Sequence, residues 1–390
     1  MAEASLTGGR AAAVAPVRGP VVIASRCAWT LYNFRRGLIS AIAKRGDGVV
    51  ALGAELEGYG RRLSDEGVDF RAVPVSLRGL APLEDLHLFW RFYRTFLQLR
   101  PRVAHFFTIK PVIFGVLAAA AAGVPRRVCT ITGLGHAFTE GGPLLRWAAE
   151  SLYRAALSFA HVVFFQNEED RALFVARGLV DPAKAHVVAG SGVDLERFAP
   201  ARLREGLPDR PIRFLMLSRL LREKGVMEFV AAATQVRRAG AAAEFRLIGG
   251  QDTRNPTALS EHELGLLQAS PVAWEGPVDD VRQEIADADV VVLPSYREGT
   301  PRALLEAMAM GRAVISTDAP GCRDVVTPGV TGERVPPRDG HALAEAMLSF
   351  VADAERLASF GRAGRAFVET RYDERAVIAR TLQAYQPIGS

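Results

Sequence analysis

Two glutamates, Glu298 and Glu306, stand eight positions apart in a stretch that reads strand, loop, helix, strand from Asp289 to Thr317. Val290 to Leu293 is the short apolar run of a strand buried in a parallel sheet, and Pro294-Ser295 ends it. The loop Tyr296-Arg297-Glu298-Gly299-Thr300 follows, and Pro301 opens an Ala/Leu/Met-rich helix with Thr300 as its N-cap and Gly311 as its stop. Glu298 then precedes the helix, and Glu306 is the polar exception on its second turn. Loops at the carboxyl ends of parallel strands are where open α/β sheets bind ligands. The helix N-terminus adds unpaired N–H groups and a positive dipole end. The pattern predicts a site for an anion, with two carboxylates to hold hydroxyls. Arg219 and Lys224 also follow a strand and precede a helix, which opens at Gly225. An arginine fork and a compact ammonium suit a diphosphate. Taken alone, the same two residues read as an exposed basic turn.

These side chains need a scaffold, and the chain alternates strand and helix throughout. In the first half, strands are expected at Val21 to Ala24, Val49 to Leu52, Phe70 to Val73, Val103 to Phe107, Arg127 to Ile131 and Val162 to Phe165. Helices are expected from Arg36 to Lys44, Leu83 to Leu99, Pro111 to Ala122 and Leu144 to Ala160. A second series restarts near Ile212 with strand Arg213 to Leu217, helix Gly225 to Ala239 and strand Glu244 to Ile248. The fold class is α/β, with two Rossmann-like parallel-sheet domains facing a cleft. Residues 1–19 are read as a disordered extension, 20–200 as the first domain, 201–370 as the second, and 371–390 as a helix crossing back. At 390 residues the chain fits two domains of roughly 190 each.

The run Glu298-Gly-Thr-Pro-Arg-Ala-Leu-Leu-Glu306 resembles the E-x7-E signature of retaining GT-B glycosyltransferases of the family-4 type. Gly192-Val193-Asp194 with Phe198 and Pro200, Ser218-Arg219-Leu220 with Glu223-Lys224-Gly225, and Val335-Pro336-Pro337-Arg338-Asp339 resemble further motifs of that family, in its order. The resemblance covers roughly residues 20 to 385. Thr132-Gly133-Leu134-Gly135, Asn255-Pro256 and Ser295 to Gly299 look most like a bacterial subgroup acting on undecaprenyl-diphosphate-linked saccharides. It implies a nucleotide-sugar donor, a UDP-linked N-acetylated hexose, as co-substrate, with no other cofactor and no metal, and a polyprenyl-linked saccharide as acceptor. Arg219 and Lys224 would neutralise the departing diphosphate and Glu306 would accept from the ribose hydroxyls. Glu298 would hold the transferred sugar, with the N–H groups of Gly299 and Thr300 and the helix start at Pro301 near the diphosphate. The same resemblance leaves open another nucleotide sugar and acceptor, a sugar-nucleotide epimerase, or a nucleotide-sugar-binding partner without turnover.

The acceptor side falls to the first domain. Thr108 and Lys110 end one strand and open a helix, so both are expected to face the cleft. Lys110 reads either as a contact to an acceptor phosphate or as an ordinary surface lysine. Gly133 and Gly135 would let the backbone approach a ligand closely. Relatives often carry a histidine directly after this strand, where Thr132 or Gly133 stands here. His136 therefore reads either as a catalytic-region contact to sugar or acceptor, or as a loop histidine without a role. Arg35-Arg36-Gly37 stands where the family commonly has paired glycines. Gly37 is expected to approach the diphosphate, while Arg36 and its neighbour could face a lipid-linked phosphate.

Composition sets the remaining bounds. Three scattered cysteines, Cys27, Cys129 and Cys322, give no disulfide framework or metal spacing and favour a reducing compartment. Asp287-Ala288-Asp289 looks like a metal motif but precedes a buried strand, so turn and capping chemistry is expected there. A net charge of +5 suits either anionic partners or a solvated arginine-rich surface. No spacing supports nucleic-acid binding. No run is long enough for a membrane span. The stretch from Leu86 to Pro101 interleaves Phe89, Trp90, Phe92, Tyr93 and Phe96 with Arg91, Arg94 and Arg100, and Leu144 to Phe159 is similar. Each helix either lies on an anionic membrane or packs its aromatic stripe on the sheet. The expected location is the cytoplasm, peripheral on the inner face of the cell membrane.

Overall fold

The computed structural model describes residues 19–75, 81–134, 138, 142–206, 209–253 and 255–386. The expected N-terminal extension, Gly19 excepted, lies outside the described residues, as do Gly135 and His136. The chain forms two all-parallel sheets. The first holds β1 (Val21–Cys27), β2 (Val49–Ala54), β3 (Asp69–Ala72), β4 (Val103–Phe107), β5 (Arg126–Ile131), β6 (Val162–Phe165) and β7 (Ala185–Val187). The second holds β8 (Ile212–Leu217), β9 (Ala243–Ile248), β10 (Val272–Glu275), β11 (Val290–Leu293), β12 (Ala313–Thr317) and β13 (Gly332–Val335).

Strand order is β3-β2-β1-β4-β5-β6-β7 in the first sheet and β10-β9-β8-β11-β12-β13 in the second. The direction of winding therefore reverses between β1 and β4, and again between β8 and β11. Crevices at such switch points are where ligands bind. The Arg219–Lys224 loop follows β8 and the glutamate loop follows β11, so they flank the second switch point.

Side-chain alternation builds the layers. Val22, Ala24, Ala104 and Phe106 feed one face of the first sheet, while Val21, Ile23, Val103 and Phe107 feed the other. In the second sheet all four residues of β11 are buried, as suits a central strand covered on both faces. The helix Arg356–Arg371 packs on the second domain, where Gly361 lies against Gly311. The chain then crosses, and Glu374–Gln383 packs on the first domain through Ile378 and Leu382. Tyr385 donates to or accepts from His105 Nδ1 at 2.8 Å, and His105 Nε2 lies 2.8 Å from Thr130 Oγ1. Burial, with Arg35 nearby, pushes the His105 imidazole well below its usual range.

One element departs from expectation in a way that matters below. β1 runs on to Cys27 and the first helix spans Ala28–Lys44, so it begins eight residues before Arg36. Leu31, Arg35, Leu38, Ile39 and Ile42 recur at helical spacing on its buried face. Arg35, Arg36 and Gly37 therefore lie inside a helix and not on a loop after β1. Asp289 also differs. It is fully buried and accepts from Arg210 at 2.7 and 2.8 Å and from the Arg213 backbone N–H at 2.9 Å. It is a buried ion-pair centre in place of turn chemistry.

Candidate active site

Two glycines bring the loops of the second domain together. Gly225 has φ +75, and a Cβ on it would lie 2.2 Å from the Pro294 carbonyl oxygen. Only glycine lets the turn before the Val226–Arg238 helix press against the end of β11. The Tyr296 N–H donates to the Glu223 carbonyl at 2.9 Å, which locks the two loops in register. Lys224 Nζ consequently reaches Glu298 Oε1 at 2.5 Å, and Ser295 Oγ donates to the same oxygen at 2.7 Å. Arg219 Nη1 meets Asp252 Oδ2 at 2.6 Å, on the loop that follows β9.

The helix after the glutamate loop spans Arg302–Ala309 and is capped by Pro301, not Thr300. The Pro301 carbonyl accepts from Leu304 and Leu305, the first helical bonds. Thr300 Oγ1 instead donates to the Gln166 carbonyl of the first domain at 3.1 Å. Gly311, at φ +74, follows the helix in the left-handed conformation of a C-terminal stop. Arg302 in the first turn opposes the dipole, and its partner is Glu306 one turn on, Nε to Oε1 2.7 Å. The same guanidinium crosses the cleft to the Asn33 carbonyl at 2.7 Å.

The first domain meets this loop closely. A Cβ on Gly299 would lie 2.4 Å from Gln166 Oε1 and 2.5 Å from the Thr132 carbonyl, and Gly133 sits beside the Gly299 nitrogen. Asn167 caps the Glu168–Ala176 helix through the Asp170 N–H. Its side-chain amide donates across the cleft to the carbonyls of Gly299 at 3.0 Å and Glu298 at 3.3 Å. Arg297 Nη2 pairs with Asp170 Oδ1, and Arg323 with Glu169 at 2.6 Å. Burial pushes the Asp170 carboxyl up, against the pull of Arg297 and Asn167. At the outer rim, Arg62 forks onto Asp279 at 3.0 and 3.2 Å.

Of the first-domain residues expected at the acceptor, or in the case of Gly37 at the donor diphosphate, several have other neighbours. Arg36 pairs with Glu66 on the surface at 2.8 Å, because position 36 points out of the helix. Over Gly37 lies the Glu374 carboxylate, 2.3 Å from where a Cβ would be, so that backbone faces the C-terminal helix and not an open cleft. Lys110 is buried against Asp85 at 2.7 Å and is neither a surface lysine nor a free cation. Thr108 holds φ +68, a rare conformation for a threonine, with Oγ1 bonded to the Phe107 carbonyl at 2.5 Å. Sequence reasoning missed Asn167, Gln166, Asp170 and Asp252. The signal for the first three was present: Asn167 follows an apolar strand and precedes three acidic residues, as a helix cap at a strand's carboxyl end should.

Comparison with known proteins gives the family. Residues 33–191 match the family described as "Glycosyl transferase 4-like domain", and residues 211–353 match "Glycosyl transferases group 1". The N,N'-diacetylbacillosaminyl-diphospho-undecaprenol alpha-1,3-N-acetylgalactosaminyltransferase of Campylobacter jejuni is 29% identical over 92% of this chain and 96% of its own length. The UDP-Gal:alpha-D-GlcNAc-diphosphoundecaprenol alpha-1,3-galactosyltransferase of Escherichia coli is 28% identical over 66% of this chain and 68% of its own. The crystal structure of Anabaena Alr3699/HepE in complex with UDP and glucose superposes with a TM-score of 0.74. It covers 94% of this chain and 99% of its own, at 17% identity. Both sequence halves match in order, and the two-sheet architecture is shared. The chain is a GT-B glycosyltransferase of the group 1, family-4-like type.

Proposed function

We propose that this glycosyltransferase moves an N-acetylated hexose from a UDP-sugar to the saccharide of a polyprenyl diphosphate, with retention, in bacterial surface-glycan assembly. One observation carries the reading. Lys224 and Glu298 are joined at 2.5 Å between the two loops that flank the switch point of the second sheet, with Arg219 on the first loop and Glu306 on the helix after the second, opposite Gly133 and Asn167. Both relatives named above act on undecaprenol-diphosphate saccharides and form alpha linkages. In the reaction the bond from the sugar's anomeric carbon to the β-phosphate breaks, and a bond to the acceptor oxygen forms. Lys224 and Arg219 take up the charge of the departing diphosphate, with the start of the Arg302–Ala309 helix alongside. The acceptor proton passes to a leaving phosphate oxygen, giving UDP. Glu298 is held by Lys224 and Ser295 as a hydroxyl acceptor and not as a nucleophile. Glu306 takes the ribose once Arg302 gives way.

The peripheral membrane reading draws on exposed side chains. On the Pro82–Leu99 helix, Leu88, Phe92 and Phe96 turn inward, while Leu83, Leu86, Trp90 and Leu97 are exposed beside Arg91 and Arg94. The Pro143–Ser158 helix exposes Leu144 and Trp147. The aromatic stripe thus divides into a core face and an outward basic-apolar face, the kind that lies on anionic lipid. Among the described residues no helix is long and apolar enough to cross a membrane.

The test is a transfer assay on the purified protein with UDP-N-acetylhexosamines and an undecaprenyl-diphosphate disaccharide. UDP released only when acceptor is present supports the reading. Release without acceptor, or none with any UDP-sugar, rules it out. Arg91→Glu with Arg94→Glu should weaken flotation with anionic vesicles, and unchanged flotation removes this helix as the anchor.

A further inference from the structure

Arg35 is a buried cation with no hydrogen-bond or ion-pair partner among the described residues. Only 8% of its surface is exposed, yet no hydrogen bond or ion pair reaches its guanidinium among the described residues. It rests on the Phe107 ring, 4.0 Å from the centroid. Most buried charges are paired, because a stranded one costs the folded state heavily. Burial, with Arg302 nearby, lowers its pKa to about 9. That value still leaves it cationic at neutral pH.

Arg35 lines a narrow chamber with Thr130, Ser191, Phe107 and Glu374. Glu374 belongs to the C-terminal helix and is close enough to attract Arg35, but it forms no ion pair among the described residues. Burial pushes the Glu374 carboxyl up. The chamber opens beside the donor loop. A Cβ on Gly190, in its wall, would lie 2.8 Å from the Thr300 Cβ, and Arg302 passes from the neighbouring helix to Asn33. With the domains in contact, the space admits little more than a water-sized group. That suits a single oxyanion oxygen entering at its mouth, and excludes a whole sugar.

We propose that Arg35 is an anion-binding residue of the cleft, which receives a phosphoryl oxygen of a substrate diphosphate, the nucleotide's or the lipid's. An unpaired guanidinium keeps its fork of donors free for this. The assignment rests on the transferase reading above and adds to it a first-domain contact, where Arg36 was expected and is turned away.

The experiment compares the full-length wild type with Arg35→Met and Arg35→Lys. UDP serves as probe for the nucleotide and geranyl diphosphate for the lipid, each titrated by calorimetry, with thermal unfolding of the ligand-free proteins alongside. In Arg35→Met the affinity for one of the two diphosphates falls tenfold or more, and which one falls names the source. The melting temperature of that variant does not fall, since methionine keeps the apolar stem and strands no charge. Arg35→Lys regains part of the affinity. Affinities for both probes that are unchanged in Arg35→Met, a wild type that binds neither, or lowered stability as the sole effect would each overturn the proposal. The donor reading is judged separately: Lys224→Ala with unchanged UDP affinity would count against it whatever Arg35 does.

Discussion

The two walls of the cleft settle their charges in opposite ways. On the second-domain wall each cation already holds a carboxylate: Lys224 on Glu298, Arg219 on Asp252 and Arg302 on Glu306. On the first-domain wall the paired cations, Lys110 and Arg36, are occupied elsewhere, and Arg35 has no ion pair among the described residues. A wall of satisfied pairs keeps the ligand-free protein stable, and a ligand enters it by exchange. Each phosphate oxygen gained displaces a carboxylate, so net affinity reflects the difference between two ion pairs. Arg35 has only the unbonded Glu374 carboxylate nearby, so a ligand there displaces no formed ion pair, and the cost of the buried charge falls on stability. The contrast predicts that removing charges from the two walls will have different signatures.

Lys224→Ala should produce the largest effect. It removes an ammonium from the leaving-group side and leaves the mostly buried Glu298 carboxylate with only Ser295 for company. Loss of one preorganised electrostatic contact of this kind costs about 10²- to 10³-fold in kcat. A steady-state assay in which the variant keeps more than a tenth of wild-type kcat would remove Lys224 from the leaving-group role.

Asn167→Ser tests whether the first-domain wall positions the second. Serine still caps the Glu168–Ala176 helix but offers no amide to the Glu298 and Gly299 carbonyls. Neutral hydrogen bonds are worth roughly 0.5–1.5 kcal/mol each, so kcat/KM should fall about tenfold, and the melting temperature should fall modestly because the same amide also donates to Asp170 at 3.2 Å. Unchanged kcat/KM would mean that the two walls meet without one orienting the other.

The walls also differ in how far they could be read from sequence, for a physical reason. The second-domain wall is written in contiguous runs: a strand, a loop with its glycine and proline punctuation, then a helix. Contacts such as Lys224 to Glu298 follow once the two loops are placed at one switch point. The first-domain wall is assembled from the first helix, the ends of β4 and β5, the segment near Ser191 and the C-terminal helix. No spacing announces that assembly. Cys27-Ala28-Trp29 carries no breaker, so nothing in the sequence marks a helix start eight residues before Arg36 or singles out Arg35 over Arg36. The residue type of Thr300 fits a cap, yet its hydroxyl answers a carbonyl 134 positions away. Edge strands β10 and β13 are short and half polar, Val-Ala-Trp-Glu and Gly-Glu-Arg-Val, and lack a periodic signal.

Asp252→Asn sharpens the exchange idea on the paired wall. The Arg219–Asp252 pair is well exposed on the arginine side, and such pairs are worth about 0–1 kcal/mol. Neutralising the competitor should therefore tighten UDP binding by up to about fivefold. Calorimetry showing weaker UDP binding would mean that Asp252 aims Arg219 and does not compete for it.

The smallest effect belongs to a pair behind the wall. Arg222 forks onto Glu263 at 2.6 and 2.8 Å, and Glu263 also closes a capping box with Ser260. These partners, Arg222 foremost, hold the Glu263 carboxyl down at about 2. The sign follows from linkage: a carboxyl lowered in the folded state stabilises it above the ordinary carboxylate range, and that stability is lost as pH falls toward about 2. Arg222 is half exposed, so solvent screens the pair and its worth is about 1 kcal/mol or less. Glu263→Gln should melt a few degrees below wild type at neutral pH, with the gap closing steadily below pH 4.5. UDP affinity should not change, because this pair braces the phosphate loop from behind and exchanges with nothing. A gap that stays constant down to pH 2.5 would show that the fork does not form in solution. A change in UDP affinity would place Glu263 among the exchanging carboxylates, beside Asp252 and Glu298.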